Sequence, residues 1–119
     1  MGWGNKIQSL TAASVAGTEL FSTAVTLTPG ENSHLQIIGN SNGTTDNLVI
    51  AIYATLDASA QNYDTVAMTK IELDCTDGND NDISIMVSGV YSYRVGCVRS
   101  GASDTITTNI YYRKDGVGL

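Results

Sequence analysis

The sequence predicts an all-β fold, a two-sheet antiparallel sandwich of about eight strands, Ig-like or jelly-roll in type. Three observations predict it. The first is the stretch Asn47 to Asp57, apolar on both alternating faces: Leu48, Ile50, Ile52, Ala54 and Leu56 lie on one side, Val49, Ala51, Tyr53 and Thr55 on the other. Such a β-branched and aromatic run reads as a strand buried on two sides, so it needs a second sheet or a partner subunit to cover it. The second is the recurrence of turn signals about every 10 to 15 residues, the spacing of a sandwich or barrel. The third is the lack of any sustained 3.6-residue apolar stripe. Charged residues make up 15% of the chain, so Ser, Thr, Asn and Gly must supply the polar surface, and these are weak helix formers.

The elements follow in order. Ile7 to Val15 is a weak first strand, closed by the turn that begins at Ala16-Gly17. Phe21, Thr23, Val25 and Leu27 alternate with Ser22, Ala24 and Thr26, which predicts a half-buried strand. Pro29-Gly30 ends it, Pro fixing one φ and Gly free to take φ > 0. His34 to Gly39 is a short strand, and the loop Asn40 to Asp46 holds the tight-turn pair Asn42-Gly43. The central strand comes next, then a polar loop from Asp57 to Asp64. Ala67 to Leu73 alternates, with Thr69, Ile71 and Leu73 inward. An acidic turn spans Cys75 to Asn81. Ile83, Ile85 and Val87 face inward on the next strand; Tyr91, Tyr93, Val95 and Cys97 do so on the one after. Ser100 to Asp104 is a turn, and Ile106, Thr108, Ile110 and Tyr112 make the last strand. Short connections predict that hairpins dominate. The organisation expected is an N-terminal docking arm over residues 1–6, a sandwich domain over 7–113 and a Gly-rich tail over 114–119.

The 119 residues are one domain by size. A net charge of −6 argues against nucleic acid, which wants a basic footprint, and against an anionic membrane surface. No apolar run approaches the length of a membrane-spanning helix. Met1 to Leu10 is polar and carries no secretory signal pattern, so folding in a cytoplasm is expected. Cys75 and Cys97 are then reduced thiols packed as small apolar groups, a disulfide between them being the alternative.

Enzyme chemistry has little to work with. His34 is the one histidine, beside Ser33 and near Glu31, and no Gly-x-Ser-x-Gly elbow accompanies it. Asp57 and Asp64 make only an arbitrary carboxylate pair. The Asp74 to Asp82 turn is oxygen-rich, but its spacing is not that of an EF-hand, and a solvated turn explains it. Asn42-Gly43-Thr44 matches a glycosylation acceptor that the Asn-Gly turn already accounts for. No catalytic residue, cofactor or metal site is therefore assigned. Tyr53, Tyr63 and Tyr111 lie off the predicted core faces, and a shared exposed platform of the three would suit a carbohydrate-binding surface module.

Two segments carry a resemblance. One is Asn47 to Asp57 followed by Asn62-Tyr63-Asp64-Thr65; the other is Val90-Tyr91-Ser92-Tyr93-Arg94-Val95-Gly96 followed by Arg99 to Thr105. Over roughly Phe21 to Arg113, the chain resembles small β-sandwich structural proteins of tailed bacteriophages, above all capsid decoration (cement) proteins. The resemblance implies a non-enzymatic virion component, assembled in the host cytoplasm and sitting on the capsid surface. It implies a homotrimer bound to the major capsid protein, clamping neighbouring subunits. Trp3, Ile7, Val117 and Leu119 are then the expected contact residues. A tail, fibre or adaptor role in the same virion is the nearest alternative.

Overall fold

The computed structural model describes residues 2–56 and 66–116, with side chains from residue 4 onward. The described residues form ten strands and no helix: β1 (Gly2–Trp3), β2 (Ile7–Val15), β3 (Leu20–Phe21), β4 (Val25–Thr26), β5 (Asn32–Ser41), β6 (Leu48–Thr55), β7 (Thr69–Leu73), β8 (Asn81–Ser88), β9 (Ser92–Arg99) and β10 (Ile106–Gly116). They make two antiparallel sheets. In the first, β1 and β2 run end to end along β10, followed by β5 and β8; in the second, β3 and β4 run end to end along β9, followed by β6 and β7.

The pairing has a simple logic. β2 pairs with β10, β3 and β4 with β9, β5 with β8, and β6 with β7. The chain is thus one long hairpin, and rolling it up adds the contacts of β10 with β5 and β9 with β6. That is the double Greek key of a jelly roll, one of the two sandwich types the sequence allowed. The expectation that hairpins dominate is not met. Among the described residues β6 and β7 are the one consecutive pair that lie side by side. A six-residue loop crosses the roughly 10 Å between packed sheets as readily as it turns within one, so connection length does not separate the two routes.

The core fills the space between the sheets. Leu35 and Ile37 of β5, Ile106 and Ile110 of β10 and Val87 of β8 meet Leu48, Ile50 and Ile52 of β6 and Tyr93, Val95 and Cys97 of β9, all at most 2% exposed. β6 meets its expectation in part. Its inner face is buried against the other sheet, while Leu56 just past its end is 78% exposed. On its outer face Ala51 and Thr55 are buried, and Val49 and Tyr53 stay half-buried. There Ala51 lies opposite Gly96, and a Cβ on Gly96 would run into the Glu19 carboxylate and sit 3.1 Å from the Phe21 ring.

The predicted Phe21 to Leu27 alternation is broken in the middle. Val25 and Leu27 are buried, but Phe21 turns outward. Ser22 turns in instead: its N–H donates to the Val95 carbonyl at 2.9 Å, and its Oγ accepts the Val95 N–H at 3.0 Å. A small polar side chain that mimics a ladder partner resets the phase. The Pro29-Gly30 turn forms as predicted. Gly30 has φ 87°, the Glu31 N–H donates to the Thr28 carbonyl at 3.0 Å, and the Glu31 carboxylate accepts the Thr28 N–H at 2.7 Å.

Candidate contact surfaces

The reactive side chains are scattered by the fold. Ser33 and His34 alternate across β5. The Ser33 hydroxyl is in the core, 2.5 Å from the Tyr93 hydroxyl, while His34 is on the outer face with Nε2 3.1 Å from Asp115 Oδ2. Glu31 is engaged in its own turn. Cys75 and Cys97 are both buried and unbonded. Burial raises the Cys75 thiol and pushes Cys97 up to about 12, so both sit as packed apolar groups. Asp57 and Asp64 lie outside the described residues.

The acidic turn uses its carboxylates on itself. Asp74 Oδ1 accepts the Thr76 N–H at 2.9 Å and its hydroxyl at 2.6 Å. Asp77 Oδ1 accepts from the Asn79 N–H and the Asn81 side chain. These bonds hold both carboxyls below their ordinary value. Asn42 ties its loop to the last turn, its Oδ1 accepting the Thr105 N–H at 3.0 Å.

The predicted contact residues fare differently. Ile7 opens β2 and is 46% exposed. The side chain of Trp3, and all of Val117 and Leu119, lie outside the described residues. The two ends pair with each other. Gly2 faces Gly116, Trp3 faces Asp115, and the Gly4 N–H donates to the Lys114 carbonyl at 2.7 Å. Backbone pairing needs no apolar alternation. A Gly-Trp-Gly segment can therefore extend a sheet wherever β10 outruns β2, and neither end shows this in its sequence.

The tyrosines do not form one platform. Tyr53 is on the outer face of the β6 sheet and Tyr111 on the outer face of the β10 sheet, on opposite sides of the sandwich; Tyr63 lies outside the described residues. Tyr53 and Tyr111 belong to different surfaces. Around Tyr53, the hydroxyl donates to Glu19 at 3.0 Å, the Phe21 ring is tilted at 5.9 Å, and the Arg94 guanidinium lies 4.0 Å over that ring. Burial, then Glu19, raises the Tyr53 hydroxyl.

Around Tyr111 is a shallow groove of about 510 Å³ on the β10 sheet. Arg113, His34 and Met86 form a cross-strand row in its floor, and the Lys6 ammonium sits 4.2 Å over the Tyr111 ring. In a chain of net charge −6, two of the six cationic side chains, Lys6 and Arg113, line this one groove, beside the His34–Asp115 pair. Such a face suits a carboxylate-rich protein surface. Sequence reasoning missed it because Lys6, His34 and Arg113 meet only through the β2–β10–β5 order. The alternation of Tyr111 and Arg113 against Ile110 and Tyr112 was the available signal.

No protein-family profile matches the chain, and no curated protein matches it.

Proposed function

We propose that the protein is a non-enzymatic structural component of a tailed-phage virion, a capsid decoration protein that docks on the major capsid protein and clamps neighbouring subunits. One observation carries the reading: the strand order is that of an eight-stranded jelly roll, an architecture shared by viral capsid domains. Lectins and cupins use it too. The separation of Tyr53 from Tyr111 removes the aromatic platform on which the carbohydrate reading rested. The remaining surface suits docking. One outer face carries the Lys6–His34–Arg113 groove, the other the Phe21–Arg94 stack, and both are built on rigid sheet. Many copies on a repeating lattice would add modest contacts into durable attachment.

The test is imaging of the native particle by cryo-electron microscopy. Density for the jelly roll on the outer capsid shell is the expected result. Density on the tail would assign the adaptor role instead, and particles lacking the protein would refute a virion role.

A further inference from the structure

The sandwich has four sheet edges, and three carry features that discourage another strand from adding. β2 is bulged: its register on β10 shifts on both sides of Ile110, and Ala12 takes φ 41°. Asn109 Oδ1 pins the bulge by accepting the Ala12 N–H at 2.8 Å. The β3 and β4 edge is two pieces of two residues each. β7 is five residues long and presents Lys70 and Glu72.

β8 differs from all three. It runs for eight residues, pairs with β5 without a register shift from Ser88 to Asn81, and contains no Lys, Arg or Pro. Among the described residues no strand lies on its other side. Natural proteins blunt such edges because a regular one is a template for pairing. Ile83 and Ile85 face inward yet stay only half-buried, and Met86 on the outer face is 60% exposed.

We propose that β8 pairs antiparallel with β8 of a second copy across a two-fold axis at Ile85. Self-complementarity is what points to a second copy. Facing residues of an antiparallel pair share a face. This axis therefore sets Ile83 against Val87 and Ile85 against its twin on the inner side, and Ser84 against Met86 and Asp82 against Ser88 on the outer. The inner row is aliphatic throughout, so the core continues across the junction. Asp82, the strand's one charge, meets a hydroxyl, and no like charges oppose. A slip of one residue would put inner against outer side chains. A slip of two in one direction would put Asn81 against Val87 in the aliphatic row. The contact is isologous. It goes beyond the decoration reading, since it needs no capsid, and it is two-fold where the resemblance implies trimers. Met86 also lines the cationic groove, so pairing would join two grooves into one continuous face.

The solution mass of the full chain, followed by sedimentation equilibrium from about 1 to 300 µM, tests this. A concentration-dependent dimer is expected. Ser84→Lys with Met86→Lys opposes lysines at two places across the axis and should leave a monomer. Both positions are exposed, and an unchanged circular-dichroism spectrum checks the fold. Ser84→Glu with Met86→Lys opposes unlike charges and should restore the dimer. Hydrogen exchange gives a readout without mutation: β8 amides should gain protection as concentration rises. A wild-type monomer or trimer at every concentration, or a dimer indifferent to the double lysine variant, overturns the proposal. Failure of the charge pair to restore the dimer overturns the Ile85 axis. Capsid occupancy of the wild-type protein tests the decoration reading separately, because Met86 lies in the proposed docking groove and its variants would disturb both.

Discussion

Asp46 and Asp104 cap each other's loops. Asp46 Oδ2 accepts the N–H groups of Ser103 at 2.9 Å and Asp104 at 2.7 Å. Asp104 Oδ2 accepts the N–H groups of Thr45 and Asp46, each at 2.8 Å, and the Ser41 hydroxyl at 3.0 Å. Both residues are buried. The exchange locks the β5–β6 connection to the β9–β10 connection, two of the four loops that carry the chain between the sheets at that end.

Replacing Asp46 by Ala strands one buried backbone donor, that of Asp104, and one partly buried, that of Ser103, which a carboxylate now satisfies. Charge-assisted hydrogen bonds contribute roughly 1.5–3 kcal/mol each, and an orphaned donor costs a similar amount, so the loss should be roughly 2–4 kcal/mol. Urea unfolding of Asp46→Ala checks this. A midpoint equal to wild type would mean that water replaces the carboxylate without loss.

The same clasp sets the acid limb of stability. The N–H groups of Asp46 and Thr45 hold the Asp104 carboxyl below its ordinary value of 3.8. A carboxyl lowered in the folded state contributes stability above its unfolded pKa, and the contribution is lost as pH falls through the folded one. Glu31, Asp74 and Asp77 are lowered in the same direction. Stability should therefore begin to decline below about pH 4, and Asp104→Asn should make the decline shallower. Equal slopes for the two proteins would remove Asp104 from the effect.

Two glycines make room for the clasp. A Cβ on Gly43 would collide with Asp104 Oδ1, and one on Gly101 with Asp46 Oδ1. Neither carboxylate is free to move aside, because backbone donors hold it. Gly43→Ala and Gly101→Ala should each destabilise by about 1–3 kcal/mol, the range for overpacking. In the Asp104→Ala background, Gly43→Ala should cost much less. A thermodynamic cycle over these variants measures that coupling.

The sequence holds a signal for this arrangement that the spacing of turns did not expose. Gly43-Thr44-Thr45-Asp46 and Gly101-Ala102-Ser103-Asp104 are two copies of Gly-x-(Thr/Ser)-Asp. Each alone reads as an ordinary turn; only the roll of the chain sets them face to face. The core was readable for a different reason. Leu48, Ile50 and Ile52, or Tyr93, Val95 and Cys97, announce their faces by alternation, which depends on nearest neighbours alone. Strand order is long-range, so β5 beside β10 had no local mark, and the alternation that turns Tyr111 and Arg113 outward could not show that Lys6 and His34 join them. The Phe21 inversion escaped because Ser22 replaces an apolar side chain with a hydrogen bond, which alternation does not register.

The alkaline limb should come from the core. Burial pushes Tyr93 up to about 12, against an ordinary value of 10.0, and Cys97 up to about 12, against 9.0. An acid group raised in the folded state holds its stability below the unfolded pKa and loses it as pH climbs through the folded one. Decline should therefore start near pH 9, where the unfolded chain ionises Cys97 first. Cys97→Ala should make this decline shallower without abolishing it, because the Cys75 thiol is raised in the same direction. The native thiols should also resist a disulfide reagent at pH 8 and react fully in denaturant. Rapid native labelling of Cys97 would contradict its burial.

Deleting residues 1–5 should weaken the domain without unfolding it. The deletion removes the Gly2 and Trp3 pairings with β10 and the Gly4 N–H bond to Lys114. A net hydrogen bond contributes about 1 kcal/mol, and ordering a chain end offsets part of that, so the cost should be about 1–2 kcal/mol. The end of β10 keeps other anchors. Lys114 Nζ donates to the Thr26 carbonyl at 2.6 Å, and Gly116 packs so closely on Gly30 that no Cβ would fit. A drop of several degrees in Tm with an unchanged strand spectrum is expected. Under the decoration reading, the same deletion should lower occupancy on purified capsids. Full occupancy alongside the Tm drop would move the docking surface away from the N-terminal segment and onto the sheet faces.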